Sequence, residues 1–393
     1  MTNSVLISGA GIAGPALAYW LHRYGFQPTV VERAPALRAG GYKVDVRGAA
    51  TEVLKRTAVY DAARALDTGM RHITYVRRDG RRIARMDANL LMGRRGDDIE
   101  IMRTDLSRVL YDAGRDGAEY LFGDAVAALD DTGDGVDVTF DSGRTRRFAL
   151  VVGADGLHSA TRRMVLGPVP LTHLGAYISF FSLPNHLGLD HEEVMYGEPG
   201  RLVFAYSTGG SADAKVGLTF ASPPLDVDRR DTGAQKRLVG DAFAGLGWEV
   251  PRLLDAMSGA GDFYLDSLSQ VDMPRWSAGR VALIGDAAYC PAPASGQGTS
   301  LALVGAYVLA AELAAAGGDH TAGFAAYQAR MRPYVDANLS LGRKMARDMV
   351  PGSRLTLAVR NYGMRTLRYH PRRERVIDRV LRPLHEAANA IAI

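Results

Sequence analysis

The stretch VLISGAGIAGPALAYWLHRYGFQPTVVERA, Val5 to Ala34, decides how the rest of this chain is read. Ser4 to Ser8 is a short apolar run of the kind found in buried parallel strands. Gly9-Ala10-Gly11-Ile12-Ala13-Gly14 follows and fits the pattern G-x-G-x-x-G. From Pro15 to Tyr24 the spacing turns helical, with Leu17, Trp20 and Leu21 on one face. Gly25 ends that helix, Pro28 to Val31 reads as a second strand, and Glu32 stands at its carboxyl end. Each part has a mechanical reason. Gly9 permits the tight turn, Gly11 lets the backbone approach a pyrophosphate, and Gly14 lets the helix pack close on the strand. Ile12 and Ala13 lie where free N–H groups at a helix N-terminus attract phosphate. Glu32, about twenty residues on, can accept hydrogen bonds from ribose hydroxyls. The stretch reads as the receptor of a dinucleotide and does not by itself choose between FAD and NAD(P).

A signal peptide is the competing reading of the same residues. No cationic segment precedes the apolar run, and Gly and Pro interrupt it. No run reaches the ~18 uninterrupted apolar residues of a spanning helix, so the expectation is a soluble, cytoplasmic protein with no membrane span. The 393 residues are enough for two domains. A formal charge of +4, with Arg interspersed among Asp and Glu, reads as a solvated surface and not a nucleic-acid face. The single cysteine, Cys290, excludes an intrachain disulfide and a cysteine-rich metal centre. The nine histidines are scattered, and no metal site is expected.

Further along, Arg38-Ala39-Gly40-Gly41 leads into Tyr42 to Gly48, a glycine-containing loop entering a strand. Ala49 to Thr57 reads as a helix, and Asp79-Gly80 as the turn of a hairpin between Ile73–Val76 and Arg81–Met86. Thr104 to Arg115 reads as a helix capped by Thr104. Three strands follow between Ala125 and Phe148, then an apolar strand at Leu150 to Val152 that runs into Gly153-Ala154-Asp155-Gly156. Leu171 to Ala221 has a β pattern, Asp226 to Leu246 and Val250 to Met257 a helical one, and Asp262 to Val271 reads as a strand. Gly279 to Ile284 is a third buried strand, ending in Gly285-Asp286. A small-residue helix to about Ala316 and a long amphipathic helix, Thr321 to Met349, complete this part, with Pro333 expected to bend the latter. The arginine-rich tail, Arg354 to Pro383, reads as helix with a solvated basic face. Three glycine-bearing turns thus follow three apolar strands, and one parallel sheet can bring all three to the edge where α/β sheets bind ligands.

This arrangement resembles the single-component (class A) flavin-dependent monooxygenases, the para-hydroxybenzoate-hydroxylase-like family, over nearly the whole chain. The resemblance rests on the Gly9–Gly14 fingerprint with Glu32-Arg33. It rests equally on the Asp155-Gly156 turn with Ser159 and Arg162, and on Gly285-Asp286 with Pro293, Gly296 and Gly298 downstream. It implies an α/β fold: a Rossmann-like FAD-binding domain (GR2 type), an inserted β-sheet substrate domain and C-terminal helices. The expected division is 1–170 with 272–320 for FAD, 171–271 with part of 72–100 for substrate, and 321–393 for the helices. The resemblance implies tightly but non-covalently held FAD, with Glu32 on the adenosine ribose, Asp286 on the ribityl chain or pyrophosphate, and Arg103 on bound FAD. The turn from Pro293 to Gly298 would lie against the flavin ring. The loop Arg38, Gly40-Gly41 and Asp45 is most similar to that of the short tetracycline-inactivating subgroup, which puts Asp45 on FAD and Arg38 on transient NADPH or NADH. Asp155 belongs to the turn linked to both nucleotides.

The implied activity is O2-dependent hydroxylation of an aromatic or polyketide-like small molecule, as in secondary metabolism or antibiotic modification, by a monomer or homodimer. The alternatives are an FAD-dependent reductase without oxygen insertion and a flavin-binding protein without turnover. No catalytic side chain is expected, because the flavin carries the chemistry. Phe180, Phe181, Met195, Phe204 and Tyr206, in the β-rich middle, are candidates for the substrate pocket. Tyr289 and Ser300 depart from the family pattern, which usually has His and Asn there.

Overall fold

The computed structural model describes residues 3–38, 40–367 and 369–393, so Ala39 lies outside the described residues. A six-stranded sheet has the order β17-β18-β11-β1-β2-β7, where β1 is Ser4–Ser8, β2 Gln27–Glu32, β7 Glu119–Phe122, β11 Leu150–Gly153, β17 Ser277–Ala278 and β18 Val281–Leu283. All its pairings are parallel except β17 with β18. Val5, Leu6 and Ile7 are wholly buried, as strands covered on both faces require. The sheet places β18, β11 and β1 side by side, so Gly285, Gly153 and Gly9 end up at one edge. The helices Ala13–Arg23 and Gly298–Ala315 pack on each other beneath that edge. Gly298–Ala315 is long and apolar enough to cross a membrane by length and composition, but 72% of it is buried inside this protein.

A seven-stranded sheet has the order β16-β12-β15-β14-β13-β4-β5. Its members are β4 His72–Val76, β5 Arg82–Asp87, β12 Thr172–Pro184, β13 Glu192–Glu198, β14 Arg201–Ser207, β15 Asp213–Ala221 and β16 Tyr264–Gln270. The hairpin β4–β5 thus joins strands about a hundred residues away. One face of this sheet packs Phe181, Val203, Val216 and Leu218 against Val239, Phe243 and Leu253 of the helices Thr232–Phe243 and Val250–Gly259. The other face looks toward the six-stranded sheet. The three-stranded sheet β10-β9-β8 (Thr145–Phe148, Val136–Phe140, Val126–Asp131) and the pair β3 (Lys43–Val46) with β6 (Ile99–Met102) complete the strands.

Two local readings change. The helix Arg103–Gly114 starts one residue early, with Met102 at the cap position, and Thr104 makes no capping hydrogen bond. The helix expected from Asp226 begins only at Thr232, because the Asp231 carboxylate accepts from the Ala234 amide at 2.8 Å and sets the N-terminus there. The helix His320–Met349 runs as one element through Pro333.

Candidate active site

The fingerprint turn is built so that only hydrogen fits at two glycines. A Cβ on Gly9, whose φ is +108°, would lie 2.7 Å from the Ala154 carbonyl oxygen, and one on Gly14 would lie 1.9 Å from the Gly9 carbonyl oxygen. Gly11 differs. A Cβ there would meet only the Arg103 guanidinium, at 3.5 Å, so its bareness serves whatever enters the cleft and not the packing. Glu32 is buried and fixed by two amides, Ala10 at 2.9 Å and Ala34 at 3.0 Å. Its Oε1 is also 3.7 Å from exposed Arg38. Arg33 is exposed. Arg103 forms no ion pair among the described residues, which leaves a free cation over the phosphate turn.

Asp286 opens the turn after β18, half-buried. Burial pushes its carboxyl pKa up, against the Cys290 thiol and the Arg103 charge, which pull it down. A Cβ on Gly298 would lie 3.6 Å from Asp286 Oδ1, so the acid faces the N-terminus of the following helix. Pro293–Ser295 forms a single tight turn that ends in Gly296 at φ +63°. Next to it, the wholly buried Gln297 leaves both polar atoms of its side chain without partners. Among the described residues, an orphaned amide lies beside a guanidinium without an ion pair and a carboxyl engaged only by a thiol, a donor and acceptor set awaiting a ligand. The residues present therefore fit FAD.

Asp155 is placed otherwise than as a free ligand. Its oxygens accept from the Ser159 hydroxyl, the Thr161 amide at 3.0 Å and the Thr161 hydroxyl at 3.1 Å. Arg162 then donates to the carbonyls of Leu157, at 2.7 Å, and Ala287, at 2.9 Å. This second glycine turn is thereby tied to the third. Asp45 reaches within 4.0 Å of a Cβ position on Gly296, but it is paired with Arg47 at 2.8 Å and Arg94 at 2.9 Å. Burial alone would raise its pKa; the two guanidiniums outweigh it and hold the carboxyl at about 2. The pair extends through Glu100 to Lys43 and on to Glu193 of the large sheet at 2.6 Å. Arg94, Glu100, Lys43 and Glu193 escaped the sequence reading. The signal for part of it was the alternation Lys43, Asp45, Arg47, which puts three charges on one face of a strand.

Across the open face of the seven-stranded sheet, register aligns Tyr264, Phe180, Gly217, Phe204, Met195 and Tyr75 in one row. Residues directly opposite one another share a face. Gly217 makes room for the Phe204 ring, whose Cζ stands 2.0 Å from where a Cβ would be. Tyr42 stacks on Phe180 at 4.4 Å, and Ala294 of the Pro293 turn clusters with Phe180, Phe204, Met345 and Met349. Phe180, Met195 and Phe204 are thus brought together beside the turn, all half-buried. Phe181 points to the opposite face. Tyr206 shares the row's face but is buried, its hydroxyl accepting from the Lys43 amide at 2.9 Å, so it braces the sheet against β3. Tyr42, Tyr75 and Tyr264 are the members that pattern reading missed.

The departures are absorbed locally. Tyr289 turns into the core, its hydroxyl 2.9 Å from that of Tyr327 and in space that Gly305 leaves free. Ser300 accepts from the Arg47 amide at 3.3 Å.

Comparison with known proteins agrees with this geometry. Residues 2–173 and 267–341 match the family model described as FAD binding domain. A flavin-dependent monooxygenase of Legionella longbeachae is 40% identical over 340 residues, 86% of this chain and 87% of its own. The crystal structure of tetracycline destructase Tet(55) superposes with a TM-score of 0.86 at 40% identity, covering 99% of this chain and 97% of the other. That of Tet(51) gives 0.88 at 37%, covering 100% and 99%. The chain belongs to the FAD-binding-domain family and is an FAD-dependent monooxygenase.

Proposed function

We propose that the protein hydroxylates a planar, apolar polyketide-like or other aromatic molecule, and that NADPH reduces its flavin. The observation that carries the substrate class is the in-register row Tyr264, Phe180, Gly217, Phe204, Met195 and Tyr75 beside Ala294. Rings offer large apolar contact at low entropic cost, and stacked or edge-on pairs add roughly 0.5–1.5 kcal/mol each. The likeness to two tetracycline destructases supports a polycyclic polyketide among the candidates. When bound, FAD supplies the electron storage and oxygen activation that no side chain can.

The chain's own residues would do the rest. Glu32 receives the adenosine ribose, while the Gly9–Gly14 amides and Arg103 receive the pyrophosphate. Asp286 contacts the ribityl chain or the pyrophosphate. The amides of the Pro293–Gly298 turn and the helix N-terminus behind them favour negative charge on the ring. Phe180 and Phe204 hold the substrate and keep water from it. Arg38, exposed and next to Glu32, is assigned to the NADPH 2′-phosphate. On this reading residues 1–170 and 272–320 hold the cofactor, and 171–271 with the β4–β5 hairpin hold the substrate. Stopped-flow reduction tests the Arg38 assignment. Arg38→Ala is expected to slow anaerobic reduction by NADPH, less so by NADH, at unchanged FAD content. Equal rates for both proteins with both nucleotides would remove it.

A further inference from the structure

The helix Arg354–Leu367 packs on β5 and β13 of the seven-stranded sheet, and from it Arg360 reaches the strand β13. Its Nη2 is 2.5 Å from where a Cβ on Gly197 of β13 would stand. Gly197 lies two residues along from Met195, on the same side of the strand as Met195 and Tyr75. The guanidinium thus sits on bare backbone at the end of the aromatic row.

Its surroundings do not suit a cation. Arg360 Nε is buried with no hydrogen-bond partner, and the side chain forms no ion pair among the described residues. Burial pulls its pKa down; among the described residues Tyr75 opposes this, and burial pushes that hydroxyl up to about 12, so it is neutral and no counter-ion. Arg47 and Arg162, which are buried, also have an unpartnered Nε, but the rest of each guanidinium is engaged. Arg47 and Arg94 face Asp45 and Glu100, and Arg162 donates to two carbonyls. Arg360 is half-buried, and a partly desolvated charge without a counter-ion is costly; the cost is relieved when an anion arrives.

We propose that Arg360 is a specificity-determining residue that receives an anionic oxygen on the edge of the ring substrate: a carboxylate, phenolate or enolate. This rests on the reading of the sheet face as the ring site. The planar fork of a guanidinium can grip such a group with two parallel hydrogen bonds, which an ammonium cannot. The Tyr75 hydroxyl, neutral over the ordinary pH range, is available as a further donor.

The test uses the FAD-loaded protein and a matched pair of probes, anthracene-2-carboxylate and its methyl ester, titrated calorimetrically. Wild type should bind the carboxylate roughly ten- to a hundredfold more tightly than the ester. Arg360→Gln should abolish that preference while ester affinity stays, which also shows that the variant is folded. Arg360→Lys should restore only part of it. Gly197→Val, which displaces the guanidinium, should behave like Arg360→Gln. Equal binding of both probes by wild type, or an undiminished preference in Arg360→Gln, would overturn the role of Arg360 and leave the ring site standing. Failure of wild type to bind either probe would overturn the ring site, and this inference with it.

Discussion

Two glycines of one motif do different work, and substitution separates them. Gly14→Val places side-chain atoms on the Gly9 carbonyl and should leave little folded protein. Gly11→Val meets only a movable guanidinium, so the apoprotein should melt close to wild type yet purify colourless. A yellow Gly11→Val protein would contradict the pyrophosphate assignment. Asp45 gives a second prediction. Its carboxyl is held at about 2, below an unfolded value near ~3.9, so its contribution is full above that unfolded value and is lost as pH falls through the folded one. Asp45→Asn leaves Arg47 and Arg94 undercompensated and should cost roughly 3–5 kcal/mol at neutral pH. Urea unfolding in steps from about pH 7 downward should show that gap narrowing between about pH 4 and 2; a gap independent of pH would contradict the ion-pair account. At this scale the sequence was most legible where backbone alone sets the rule. The glycine turns are local, and so are their steric reasons. Asp155 was harder to place, because a carboxylate that caps its own helix and one that awaits a ligand occupy the same motif.

Elements explain why the cofactor cleft was readable and the substrate face was not. Strand, turn and helix occur consecutively at Gly9, Gly153 and Gly285, and parallel pairing then brings their ends together. A β pattern over β12 to β15 names no cross-strand partners, so Phe180, Phe181, Met195, Phe204 and Tyr206 read as candidates alike, though Phe181 faces the other way, and Tyr264 and Tyr75 are not reached. Those come from β16 and from the distant β4–β5 hairpin, and only register aligns them. The basic tail read as solvated because its arginines outnumber its acids; that Arg360, among the tail's described arginines, turns inward follows from Gly197, which no pattern connects to it. The element-scale prediction concerns the two helix starts that frame the cleft. Arg103 opens one helix and Asp286 the short turn before another. Alanine at either should weaken FAD retention by roughly 1–3 kcal/mol, the loss of a charge-assisted hydrogen bond from a part-buried site. Equilibrium dialysis giving wild-type affinity in both variants would mean that the turn after β18 does not face the cofactor.

At the scale of the molecule, the strand pair β3–β6 is tied to the seven-stranded sheet by charge. The chain of ion pairs from Asp45 through Arg94, Glu100 and Lys43 to Glu193 links the strand beside the Pro293 turn to the seven-stranded sheet. The Arg47 amide, next to this strand, donates to Ser300 of the helix after the Pro293 turn, so β3 touches both that turn's helix and the seven-stranded sheet. The most direct measurement of the central claim follows the oxygen. The FAD-loaded protein, NADPH and a panel of polycyclic polyketides and aromatic carboxylates are incubated under isotopically heavy oxygen gas, and products are weighed by mass spectrometry. The account predicts a product that carries one heavy oxygen atom from the gas, formed in step with NADPH oxidation. A product that has gained hydrogen but no oxygen, or oxygen drawn from water, would contradict it.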